Sequence, residues 1–294
     1  MRDFDFLEPA TVGEASRMLA DLGDDCRVIA GGTALMLGMR QRMLTPTHLV
    51  SLGRLDALRG IEFDEQSGLR IGALALHADL ARSPLVQARY PMLASMASRV
   101  ANPQVRNQGT LGGNLCYADP ATDPPGCLMA LQAQVVVSGS GGERVLGIEE
   151  FCVDYYTTAL EPDEVVIEIR IPPLPADAVG QYARFLRTAA EHRPLASVAV
   201  VARRAGAVCV EARLAVGAAT PIALRLRRAE AFLSGKTVTP DVAAEAADII
   251  AADIEPVSDL RGAADYRRDM VRIVARRTIA GLFGLASNQG TTHE

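Results

Sequence analysis

At 294 residues, 49% hydrophobic and 22% charged, the chain has the length for two domains with separate cores and the make-up of a globular fold, which excludes disordered and fibrous classes. A net charge of −5 and a pI near 5.5 exclude broad attraction to nucleic acid, and no apolar run reaches the roughly 18 residues of a membrane span. Cys26, Cys116, Cys127, Cys152 and Cys209 lack C-x-x-C spacing and fit reduced thiols, while His48, His77, His192 and His293 stand too far apart for a zinc site. With no apolar leader after Met1, the reading is a cytoplasmic protein without a metal centre of its own.

In chain order, residues 11–22 read as a helix in which Thr11 and Glu14 form a capping box and Val12, Ala15, Leu19 and Leu22 share a face. Aliphatic runs at 27–30, 48–52 and 69–74, bounded by Gly, Pro or Asp, read as strands. The pair in Ala30-Gly31-Gly32-Thr33 therefore sits where a strand hands over to a helix carrying Leu35, Met36 and Leu37. Residues 84–101 keep helical spacing with a break at Pro91. Residues 102–114 read as a loop ending in a second pair, Thr110-Leu111-Gly112-Gly113-Asn114. Asp119-Pro120 and Asp123-Pro124-Pro125 hold the next stretch extended, and a helix opens at Pro125. Strands at 134–138 and 164–171 follow, the second stopped by Pro172-Pro173-Leu174-Pro175, where a domain boundary is placed. Beyond it come a three-stranded meander at 181–186, 196–204 and 208–216, then helices at 222–233, 240–254 and 263–285. Strands followed by helices mark an α+β unit. The division is 1–175, 176–286 and a polar tail at 287–294.

Paired glycines let main-chain N–H groups approach an anion with no side chain in the way, and a helix starting after Gly32 would add its positive end. If the two pairs converge, Thr33 and Thr110 offer hydroxyls and Asn114 an amide to the same diphosphate, and Asp123 is a candidate acceptor for a ribose or ribityl hydroxyl. Neither G-x-x-x-x-G-K-[ST] nor G-x-G-x-x-G occurs, so the nucleotide site is of another kind. There is no G-x-S-x-G, no evident Cys–His pair and no HExxH, so no catalytic residue is assigned. Cys116 reads as packing, His77 as a cap or surface residue, Tyr155-Tyr156 as core, and Arg225-Leu226-Arg227-Arg228 as a solvated helix face or subunit contact.

Three segments, Ala30-Gly31-Gly32-Thr33-Ala34-Leu35, Asn107-Gln108-Gly109-Thr110-Leu111-Gly112-Gly113-Asn114 and Asp119-Pro120-Ala121-Thr122-Asp123-Pro124-Pro125, resemble the FAD-binding medium subunits of molybdenum hydroxylases, the carbon monoxide dehydrogenase and xanthine dehydrogenase family. The resemblance runs from Phe4 to about residue 285. It implies a two-lobed FAD domain of the vanillyl-alcohol-oxidase (PCMH) type and a small C-terminal α+β domain. It also implies a large partner carrying a molybdenum pterin, a small partner carrying two [2Fe–2S] clusters, and assembly as a dimer of heterotrimers. By the same resemblance Ile29, Ala30, Gly31, Gly32, Thr33, Ala34 and Leu35 cradle the FAD diphosphate together with Thr110, Leu111, Gly112, Gly113 and Asn114. Asp123 bonds the cofactor, and Val166 with Arg184 or Arg187 supplies further contacts. The chain departs from its relatives at Ala34, where many carry Asp or Ser, and in the run Arg187-Thr188-Ala189-Ala190-Glu191-His192-Arg193-Pro194. It also lacks a cysteine-bearing insertion after the second glycine motif, so no iron–sulfur cluster is expected on it. The implied function is electron transfer from the clusters of a partner to an external acceptor. A self-contained flavin oxidase or reductase, and a flavin-free scaffold or accessory subunit, stand as the alternatives.

Overall fold

A computed structural model describes residues 2–188 and 190–285; the tail read at 287–294 lies outside them. The first lobe is a parallel three-stranded sheet with His48–Ser51 between Asp5–Leu7 and Cys26–Ile29. Helix Val12–Leu22 covers it, started by Thr11, whose Oγ1 accepts the Glu14 N–H at 3.1 Å, while Glu14 Oε2 accepts from the Ala10 N–H. Ala15 and Leu19 from this helix close a small core with Cys26, Val50 and Leu52.

The second lobe is a five-stranded antiparallel sheet in the order Ile61–Asp64, Gly68–Gly72, Val165–Ile171, Gln134–Gly139, Gly142–Gly147. Alternation along these strands puts Leu69, Ile71, Val135, Val137 and Ile169 into one core with Leu93, Met96 and Leu128 from the covering helices. Pro91 divides the helical stretch as its ring requires, giving Pro84–Arg89 and Pro91–Arg99.

The C-terminal unit is an antiparallel sheet of three long strands, Ala178–Phe185, Ala196–Ala205 and Val208–Gly217, under helices Arg227–Leu233, Pro240–Asp253 and Ala264–Leu282. A fourth, two-residue strand, Leu224–Arg225, adds to its edge where the sequence pattern placed helix. The ladder to Ala215 and Val216 takes these residues, and the helix starts only after Leu226 has donated its N–H to Leu214 O at 2.9 Å.

Strand Ala196–Ala205 is buried on both faces from Ala196 to Ala202. Ala199 and Val201 join the second-lobe core together with Tyr182 and Ala215, whereas Ala196, Val198, Val200 and Ala202 face the C-terminal helices. Arg267, 1% exposed, ties that helical layer to the sheet by donating to Ala218 O at 2.7 Å, Leu195 O at 3.2 Å and Asp259 Oδ1 at 2.7 Å.

Three smaller expectations change. Tyr155 and Tyr156 are exposed rather than core, because they turn the hairpin between Cys152–Asp154 and Thr157–Thr158, with Tyr156 at φ +50°. His77 is 1% exposed, buried at the start of helix His77–Arg82. Arg227 and Arg228 lie exposed on helix Arg227–Leu233 as read, paired with Glu149 and Asp253, but Arg225 belongs to the edge strand and is largely covered in its pair with Glu230.

Candidate cofactor site

The two glycine pairs meet. A Cβ added to Gly31 would stand 2.1 Å from Gln108 O and 2.9 Å from Gly109 Cα, so the first loop lies directly on the chain that leads into the second motif. Further contacts seal the junction: the Cβ position of Gly109 is 3.4 Å from Thr33 Oγ1, and that of Gly113 is 3.7 Å from Ala30 Cβ. Gly32 has φ +69°, a left-handed turn that glycine adopts without strain and that turns the chain from strand Cys26–Ile29 toward helix Leu35–Arg40. Ile29 is fixed at the strand end by accepting the Leu52 N–H at 3.0 Å.

The amides of the two motifs have different fates. Among the described residues, the N–H groups of Gly31, Gly32, Thr33 and Ala34 find no protein acceptor. In the second motif all but that of Thr110 are used: Leu111 donates to Ala75 O and Gly112 to Ala73 O, both at 2.9 Å, Gly113 to Thr110 Oγ1 at 3.0 Å and Asn114 to Thr110 O at 3.0 Å, while among the described residues the Thr110 N–H finds no acceptor. The segment read as a loop to residue 114 in fact turns helical at Leu111–Tyr117, with Thr110 as its buried N-cap. Glycine is required at 112 by packing, since a Cβ there would lie 2.7 Å from Ala73 Cβ and 2.8 Å from Ala73 O.

The Asn114 side chain turns away from the first loop to Thr122, exchanging hydrogen bonds with its Oγ1 at 2.8 and 3.1 Å. Beside Thr122 stands Asp123, 2% exposed, whose carboxylate accepts the Tyr182 hydroxyl at 2.5 Å and Arg184 Nη1 at 2.9 Å. Burial pushes the Asp123 carboxyl above the usual carboxylate range, against the opposing pull of Arg184 and Tyr182. Val166 is buried in strand Val165–Ile171 next to Ile167, whose carbonyl accepts the Ala73 N–H at 3.0 Å and so braces the residue that packs on Gly112. The structure brings Arg184, and not Arg187, to Asp123. Arg187 is bound to Glu191 and to Arg261 O, half-exposed.

Sequence reasoning passed over Gln108 and Gly109 as contact surface, Thr122 as the partner of Asn114, and Tyr182. The signal for the last was available, because Tyr182 and Arg184 fall two apart on one strand and share a face. Among the described residues no group of three or more His, Cys, Asp or Glu could hold a metal ion, and no helix is long and apolar enough to cross a membrane.

The profile of the FAD binding domain in molybdopterin dehydrogenase matches residues 2–174. This chain belongs to that family. The profile of the CO dehydrogenase flavoprotein C-terminal domain matches residues 181–282. The carbon monoxide dehydrogenase medium chain of Hydrogenophaga pseudoflava is 38% identical over 276 residues, covering 94% of this chain and 96% of the relative. The nicotine 6-hydroxylase medium subunit of Paenarthrobacter nicotinovorans is 34% identical, with 93% and 95% covered. Among solved structures, a carbon monoxide dehydrogenase from Hydrogenophaga pseudoflava that lacks the Mo-pyranopterin moiety superposes with a TM-score of 0.93 at 37% identity, over 97% of this chain and 99% of that one. As in this family of molybdenum hydroxylase flavoproteins, the chain is an FAD-binding oxidoreductase subunit.

Proposed function

We propose that this subunit carries electrons from the [2Fe–2S] clusters of a small partner to an external acceptor, within a cytoplasmic heterotrimer whose large subunit holds the molybdenum pterin, two heterotrimers forming the complete particle. Bound FAD would supply the electron-exchange chemistry, and the chain's own residues do the holding. The supporting observation is the row of unengaged N–H groups at Gly31, Gly32, Thr33 and Ala34, seated against the Gln108-Gly109 segment. These suit diphosphate oxygens, which take several main-chain donors without a charged side chain. Ala34 contributes its backbone alone. Leu111, Gly112 and Gly113 act chiefly as the wall behind that loop, because their N–H donors are engaged within the protein, whereas the Thr110 N–H, like those of the first motif, is left for the same diphosphate.

Asp123 keeps lone pairs free beyond those taken by Tyr182 and Arg184, and these suit cofactor hydroxyls. Val166, Arg184 and Arg187 complete the proposed contact set, and the proposed domain division is 1–175, 176–286 and the tail at 287–294.

Gly31→Ala tests the reading. Its methyl collides with a backbone carbonyl, which must shift, so the purified variant should lose flavin absorbance while keeping its circular dichroism. A folded variant with full flavin content refutes the site. Co-purification with molybdenum- and iron-bearing partners tests the assembly, and an iron-free complex counts against it.

A further inference from the structure

We infer that Tyr182 is a positioning residue for the cofactor, acting through Asp123 from the C-terminal domain. This rests on the reading that places Asp123 at the cofactor.

Asp123 precedes helix Pro124–Ala130, whose apolar residues sit in the main core, so its carboxylate is surrounded by packing atoms. Its polar neighbours are few. Tyr182 and Arg184 reach it from strand Ala178–Phe185, Arg99 faces it from the end of helix Pro91–Arg99, and Cys127 lies one turn along its own helix. Ser197, on the adjoining strand, faces Tyr182, and its Oγ has no partner among the described residues.

Each carboxylate oxygen receives one donor from the C-terminal sheet, Oδ1 from Tyr182 and Oδ2 from Arg184. Two donors on two oxygens fix the carboxylate plane as well as its position, which leaves the remaining lone pairs pointing in set directions. The neighbouring Thr122 does the same for Asn114. A polar line thus runs from the glycine helix through residues 122 and 123 into the second domain.

Burial already favours the neutral acid, and the Tyr182 hydroxyl opposes that tendency. Without it, Asp123 would take up a proton at higher pH, and a carboxylic acid is a weaker acceptor for a hydroxyl than a carboxylate. Cys127 stays neutral throughout, because burial raises its thiol pKa far above the ordinary value.

The test measures flavin binding by the full chain as a function of pH in the parent, Tyr182→Phe and Asp123→Asn. Tyr182→Phe keeps the ring and loses only the hydroxyl; Tyr182→Leu is the second variant should it fail to fold. The expected result is a flavin dissociation constant raised about tenfold, with the acid limb of binding moved to higher pH. An unchanged constant, or a weaker one whose acid limb stays in place, overturns the inference, the latter because it shows structural support alone. Asp123→Asn separates the two layers. If it binds flavin like the parent, the underlying site reading fails; if it loses flavin while Tyr182→Phe does not, only the positioning role fails.

Discussion

His77 makes the acid stability of this protein calculable. Its ring is 1% exposed, its Nδ1 has no hydrogen-bond partner among the described residues, and it packs behind Gly109 with its own N–H on Gly109 O at 3.1 Å. Burial, and then the charge of Arg106, lower its pKa from 6.5 to about 4. The unfolded chain therefore binds a proton at this site near the ordinary value, whereas the folded chain resists it down to about 4. In that window the unfolded state holds more protons, so stability falls as pH falls. Between about pH 7.5 and about pH 5 the loss assignable to this one group is about 2 kcal/mol. His77→Leu removes the titration at nearly constant volume. Urea denaturation of parent and variant at both pH values isolates the effect, since every other titrating group is common to the pair. The difference between them should move by about 2 kcal/mol in the variant's favour on acidification. A difference that does not change with pH would refute the argument.

Gly112→Ala should cost about 1–3 kcal/mol by overpacking against Ala73 and should release flavin, read from the melting temperature and the flavin content of the purified chain. Arg267→Met leaves the carbonyls of Ala218 and Leu195 without their donor and should destabilise the protein by about 3 kcal/mol in denaturant titration. A thiol reagent should modify none of Cys26, Cys127, Cys152 and Cys209 rapidly in the native state, because all four are buried and burial raises the thiols of Cys152 and Cys209 to about 11; rapid labelling of any of them contradicts the packing. Iron analysis of the isolated chain should find none, and about four irons per chain, the content of two [2Fe–2S] clusters, would overturn the assignment of clusters to a partner.

Local rules carried the sequence reading where the cause is local. The Thr11 cap, the break at Pro91 and the aliphatic runs in 134–138 and 164–171 act within a few residues, and each has its counterpart in the fold. The glycine pairs were legible as exceptional but not for their separate reasons. Whether an amide at 31 or at 112 is available depends on Ala73, Ala75 and Gln108, residues brought there only by the tertiary fold. The same holds for His77, whose side chain looks like that of a surface helix start until Gly109 closes over it. Leu224 and Arg225 have helical neighbours in sequence and a sheet edge in space, and the edge wins because it supplies hydrogen-bond partners at once.

Strand Ala196–Ala205 serves two interiors at the same time, and this fixes how the molecule can breathe. A jaw-like opening between the halves would expose one side of a ladder whose other side is still packed, stripping Ala199 and Val201 of their neighbours. The distance from the first two lobes to anything docked on the C-terminal helices is therefore set by the fold.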